Sequence, residues 1–89
     1  MEDENQLIMI TAEACGYCRY IYPHAKELCD DVHIMFILLD CDNLPSAFEY
    51  PDAFPTFIFR VNKSITETWA GSNLDKLKEK MQLNFGYIK

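Results

Sequence analysis

The order of three segments near the start of the chain limits its fold more than any other feature. Gln6 to Thr11 is apolar without alternation, as in a strand buried on both faces. From Tyr17 to Val32, Cys18, Ile21, Tyr22, Ala25, Leu28, Cys29 and Val32 recur at helical spacing, while Arg19, His24, Lys26, Glu27 and Asp30 fall largely elsewhere. Pro23 removes one backbone donor inside this helix and is predicted to bend it. Ile34 to Asp40 reads as a second buried strand. A strand, a helix and a strand joined this closely imply a parallel pair with a right-handed crossover.

The remaining elements follow from local signals. Asn43-Leu44-Pro45 predicts a cap and a first-turn proline for a short helix through Phe48 or Glu49, stopped before Pro51. Thr56 to Val61 and Ser64 to Ala70 predict a hairpin across Asn62-Lys63, the second strand being polar enough for an edge. Gly71 ends it, and Asn73 is placed to cap a last helix with Leu74, Leu77, Met81 and Phe85 as its apolar stripe. Lys76, Lys78 and Lys80 are expected in water. The expected order is β-α-β-α-β-β-α around a four-stranded mixed sheet, with residues 1–5 as an acidic lead and residues 6–89 as one domain.

A chain of 89 residues buries only about two-thirds of its unfolded surface, so it needs an efficient core. With 49% apolar residues it can build one without disulfide staples. No apolar run approaches the roughly 20 residues of a membrane-spanning helix. The net charge of −6 repels phosphate backbones and anionic lipid, which argues against nucleic-acid or membrane binding. The acidic Met1-Glu2-Asp3-Glu4 start lacks the character of a secretory leader, so a cytoplasmic, reducing location is expected. In such a compartment the four cysteines read as catalytic, metal-binding or buried rather than as a structural disulfide framework.

Cys15-Gly16-Tyr17-Cys18 lies between the first strand and the helix, an arrangement suited to dithiol chemistry. Free amide donors and the helix dipole favour thiolate at Cys15, which is expected to be the nucleophile, titrating below the free-cysteine value of about 8.5. Cys18, one turn further in and facing the core, is expected to resolve the mixed disulfide. Gly16 allows close approach of a partner backbone, and Tyr17 offers a broad contact with a polar tip. Cys29 is expected to be a buried core thiol and Cys41 a structural one. Arg19 either steadies a thiolate or partner, or is a solvated helix residue. Trp69 is assigned to the core, and His24 and His33 receive no role.

From Gln6 to Phe85 the chain resembles the thioredoxin and glutaredoxin superfamily. Besides the dithiol, the resemblance rests on Phe54-Pro55-Thr56 opening the third strand, Gly71 closing the fourth, Ala12-Glu13 before the motif and Pro23 in the helix. It implies a cis Phe54-Pro55 bond facing Cys15, with the backbone of Phe54 free to pair with an extended substrate. Met9 stands where thioredoxins bury a carboxylate, Phe36 where they carry a lysine, and Ala14 where a tryptophan precedes the first cysteine.

The implied activity is thiol–disulfide oxidoreduction: electron transfer to protein disulfides through Cys15 and Cys18, by a monomer with no bound cofactor or metal, using a thioredoxin reductase or glutathione as donor. Gly16, Tyr17, Phe54 and Pro55 would contact the substrate. Two alternatives stand beside it. A glutathione-dependent glutaredoxin would hold the glutathione carboxylate near Ser72, Asn73 and the last helix. A thioredoxin-like binding or metal-holding module would leave the dithiol idle, with Cys29, Cys41, His24 and His33 as nominal further ligands.

Overall fold

A computed structural model describes residues 4–86. The strands are β1 (Asn5–Thr11), β2 (Met35–Asp40), β3 (Thr56–Val61) and β4 (Ser64–Ala70), and the helices are α1 (Gly16–Val32) and α2 (Leu74–Phe85). They form one mixed sheet in the order β2-β1-β3-β4. β1 pairs parallel with β2 and antiparallel with β3, and β4 completes the antiparallel half. Strand β1 starts one residue before its expected boundary, so Asn5 belongs to the sheet rather than to the acidic lead. The rest of that lead, apart from Glu4, and residues 87–89 of the expected domain lie outside the described residues.

Leu7, Ile8, Met9 and Ile10 are fully buried because both faces of β1 are covered. On one face Leu7 and Met9 pack with Ile21, Cys29, Phe57 and Phe59 and with Leu77 and Met81 of α2. On the other, Ile8, Ile10 and Ile58 pack with Cys41 beneath Leu44 and Phe48. Both helices therefore share one side, and the β2–β3 connection covers the other.

Two expectations change. The helix foreseen from Asn43 to Phe48 or Glu49 is replaced by a 3₁₀ turn at Cys41–Asn43, and the second helical place in the expected order is filled by this turn. Asp40 is its cap, accepting from the Asp42 N–H at 2.9 Å. A single further turn closes where the Phe48 N–H donates to the Pro45 carbonyl at 3.0 Å. Between Asp40's cap and Pro51 too few residues remain to repay helix nucleation. The second change concerns β2, which is a sheet edge with Met35 and Leu38 54% and 47% exposed, not a strand buried on both faces. An unbroken apolar run looks alike at the centre and at the edge of a sheet, because strand order is not encoded in periodicity.

The other local signals hold. Asn62 and Lys63 take positive φ of 53° and 73°, as a two-residue type I′ hairpin requires. The Asn73 side chain accepts from the Lys76 N–H at 2.9 Å, and Gly86 ends α2 in the left-handed region. Helix α1 runs through Pro23 and stops at His33, which supplies the left-handed cap. Lys80 departs from its expected solvation and pairs with Glu67 of β4, tying α2 to the sheet edge. Trp69 stacks on Phe57 at 5.8 Å, and a Cβ at Gly71 would meet its ring at 2.6 Å, so that position needs glycine.

Leu77 is fully buried and Leu83 is 74% exposed on the same helix. In urea unfolding of the oxidised protein, Leu77→Ala should lose about 2–5 kcal/mol. Leu83→Ala should stay within about 0.5 kcal/mol of the parent.

Candidate active site

The strand register brings the chemistry to one end of the sheet. β1 ends at Thr11 opposite Asp40 of β2, and Ile10 pairs with Thr56, the first residue of β3. Thr56 in turn pairs with Ala70 at the end of β4. The Cys15 loop, the Asp40–Cys41 corner, Phe54-Pro55 and Gly71 therefore all emerge at the same end. That is where the parallel pair presents its carboxyl ends, the usual place for a site in an open α/β sheet.

Cys15 is the N-cap of α1, in extended conformation, and its sulfur accepts the Cys18 N–H at 3.1 Å. The residue thus satisfies one of the free amides of the first turn with a sulfur atom. In the oxidised state Cys15 and Cys18 are joined by a disulfide, with their Cα atoms 5.2 Å apart. Cys18 is 4% exposed and belongs to the core cluster, whereas Cys15 is half-buried and packs on its edge. Outward from the pair, Tyr17 is 69% exposed, and a Cβ added to Gly16 would meet nothing within 4 Å.

Phe54-Pro55 is cis, as expected. Pro55 is buried, and its carbonyl accepts the Gly71 N–H at 3.1 Å, which fixes the start of β3 against the end of β4. Phe54 packs on both core clusters and meets Tyr50 edge-on at 5.9 Å. Its own N–H and carbonyl make no hydrogen bond among the described residues.

Behind the dithiol, Met9 is fully buried in the cluster that holds Cys18, and Phe36 packs on Tyr22 at 5.8 Å. Among the described residues the buried polar or charged side chain is that of Thr56, so no buried carboxylate or ammonium lies there. The nominal metal ligands are not gathered: Cys29 lies in the core on the helix side of the sheet and Cys41 in the core on the other. His24 packs on Tyr20, and His33 is the helix cap. Among the described residues the group of three potential ligands is Asp40, Cys41 and Asp42.

Sequence reasoning missed Tyr50, whose hydroxyl donates to the Cys41 sulfur at 3.6 Å. That hydrogen bond, with the charge Cys41 would carry, raises Tyr50 above the usual phenol value. Tyr50 thereby links the Cys41 corner to Phe54, and only its position four residues before Phe54 in a connecting loop hinted at this. Also unforeseen was a cavity of about 180 Å³ beside the dithiol, bounded by Thr11 and Leu38. A larger cavity of about 530 Å³, lined by Phe48, Tyr50, Ile58 and Ile65, contains neither Cys15 nor Cys18.

The sequence model of the family described as Thioredoxin matches residues 1–83. The chain belongs to the thioredoxin family. Thioredoxin-T of Drosophila melanogaster is 32% identical over 90 residues, covering 96% of this chain and 57% of its own length. The chain thus spans little more than half of that relative. The X-ray structure of Fasciola hepatica thioredoxin superposes with a TM-score of 0.82 at 26% identity, over 91% of this chain and 81% of that one. A chain in the crystal structure of a complex of ferredoxin:thioredoxin reductase and thioredoxin f2 gives 0.80 at 25% identity, over 90% and 76%. Membership of the thioredoxin family does not favour the glutaredoxin alternative. No helix among the described residues is long and apolar enough to cross a membrane.

The cysteines should separate sharply in reactivity. Burial, then the Asp30 charge, pushes the Cys29 thiol from its ordinary 9.0 up to about 12, against a smaller opposing effect of Lys26. In fully reduced protein at about pH 8, alkylation followed by mass spectrometry should label Cys15 first and leave Cys29 untouched until denaturant is added. Because the unfolded chain releases the Cys29 proton first, stability should fall as pH rises from 9.0 towards about 12. Equal labelling of Cys15 and Cys29 in the folded state would contradict the assigned helix face.

Proposed function

We propose that the chain catalyses reversible thiol–disulfide exchange on protein disulfides, with Cys15 as nucleophile and Cys18 as resolving thiol. The carrying observation is Cys15 at the helix N-cap, its sulfur held by the Cys18 N–H and disulfide-bonded to a Cys18 that solvent barely reaches. The amide hydrogen bond and the helix end stabilise a negative sulfur there.

In the reductive direction the Cys15 thiolate attacks one sulfur of the substrate disulfide, forming a mixed disulfide and releasing the other substrate sulfur as thiolate. Cys18 then loses its proton and displaces the remaining substrate sulfur from Cys15. The substrate leaves with two thiols, and the protein keeps the Cys15–Cys18 disulfide. With Met9 and Phe36 behind the pair, the Cys18 proton passes to water or to the departing substrate thiolate. Gly16 and Tyr17 on one side, and the unpaired Phe54 backbone beside Pro55 on the other, form the docking surface for an extended segment.

Return to the dithiol needs an electron donor. The family membership and the likeness to a chain in the reductase complex support a thioredoxin reductase. Glutathione is the alternative reductant, and the monomer in a reducing cytoplasm is the form in which this cycle runs.

Removing Cys18 leaves Cys15 able to attack but leaves the adduct unresolved. Cys18→Ser should therefore accumulate protein mixed disulfides, visible as thiol-reversible bands on non-reducing gels, and lose reduction of protein disulfides. Cys15→Ser should neither capture protein nor reduce protein disulfides, because the attacking sulfur is gone. Multiple-turnover protein reduction by Cys18→Ser without added thiol would refute the two-cysteine cycle. Retained turnover of small glutathione mixed disulfides by that variant, with no protein capture, would favour glutathione.

A further inference from the structure

The cavity of about 180 Å³ beside the dithiol is not used by the exchange cycle or by the Phe54 docking edge. Besides the two cysteines it is lined by Thr11, Ala12, Tyr22 and Leu38. Its chemistry is one-sided. Thr11 spends its hydroxyl on the Leu39 carbonyl at 3.5 Å, and Leu38 turns 47% of its surface to solvent at the β2 edge. Apolar cavities of about 150 Å³ accept a benzene-sized group, so this one has room for a single apolar side chain.

Arg19 also lines this cavity and is exposed. The ion pairs among the described residues join Lys26 to Asp30, Lys76 to Glu79 and Lys80 to Glu67, leaving the Arg19 guanidinium without a carboxylate. The net charge of −6 opposes an acidic partner at long range, but charges beyond about 8 Å are largely screened at physiological salt. Contact with Arg19 then decides the local preference.

We propose that this cavity is a specificity subsite: it takes a medium-sized apolar side chain flanking the attacked cysteine of a protein disulfide, with a neighbouring carboxylate received by Arg19. The proposal rests on the exchange activity proposed above and narrows its substrates to disulfides in an apolar and acidic sequence setting. Leu38 and Thr11 are the walls that meet the apolar side chain, and Arg19 selects the charge beside it.

The test uses the whole reduced chain in single turnover with short peptides, each carrying one cysteine as a mixed disulfide with thionitrobenzoate. Cys15 attacks the peptide sulfur, the coloured thiolate leaves, and Cys18 then frees the peptide thiol. Peptides with leucine beside the cysteine should react about tenfold faster than those with lysine. Glutamate next to that leucine should give about two- to fivefold over lysine there, a ratio that shrinks at high salt. Arg19→Glu should invert the charge ratio, and Leu38→Lys should abolish the leucine preference; ratios within one variant cancel any change in overall rate. Equal rates for all peptides with the parent protein, or preferences that persist in both variants, would overturn the subsite. Failure of the parent to reduce a protein disulfide such as those of insulin would instead overturn the exchange activity, and the subsite with it.

Discussion

Burial of β1 on both faces is the constraint from which the rest of the molecule follows. Leu7 and Met9 are covered by the two helices, Ile8 and Ile10 by the connection after β2, and all four are removed from water. At roughly 25 cal/mol per Å² of apolar surface, that removal from water is a main stabilising contribution to the sheet. Because β1 pairs with β2 on one side and β3 on the other, its buried position also sets both registers. A slip of one residue would turn every side chain to the wrong face.

Those registers decide where the dithiol sits. The end of β1 delivers the chain into the Cys15 loop, and the antiparallel pairing of β3 brings Pro55 to the same end of the sheet. Gly71 closes the set by donating to the Pro55 carbonyl, and its missing side chain lets Trp69 lie against Phe57. The reactive sulfur thus rests on a helix end, while the surface beside it belongs to a strand start. A nucleophile so placed, as proposed for Cys15, beside unpaired backbone would suit repeated exchange with extended partners.

Among the described residues no charged side chain is buried beside the dithiol. Met9 fills the space behind Cys18, and Tyr22 and Phe36 pack nearby, so no carboxylate there has to be kept desolvated. Such a core costs less to bury than an unpaired charge. In the proposed cycle the amide of Cys18 and the helix end would stabilise a negative sulfur at Cys15, with proton movement left to water.

Much of this was legible in the chain itself. The period of the Tyr17–Val32 segment, the Asn62-Lys63 turn, the Asn73 cap and the Cys15–Cys18 spacing are local features, set by residues within a turn or two of one another. The cis Phe54-Pro55 bond was reached through resemblance rather than local chemistry. What sequence alone misjudged was non-local. Whether Ile34–Asp40 was a central or an edge strand depended on which strand lay beside it, and Leu38 became an exposed wall only because nothing did. Where a short helix was expected after Asn43, the chain instead makes a 3₁₀ turn at Cys41–Asn43 capped by Asp40. Tyr50 found Cys41, and Lys80 found Glu67, across distances in the chain that no periodicity records. Sequence determined the elements and the reactive pair because those rest on backbone preference and short spacing; tertiary packing alone decided the edges, the cavity and the neighbours of each thiol, because burial is a property of the assembled layers.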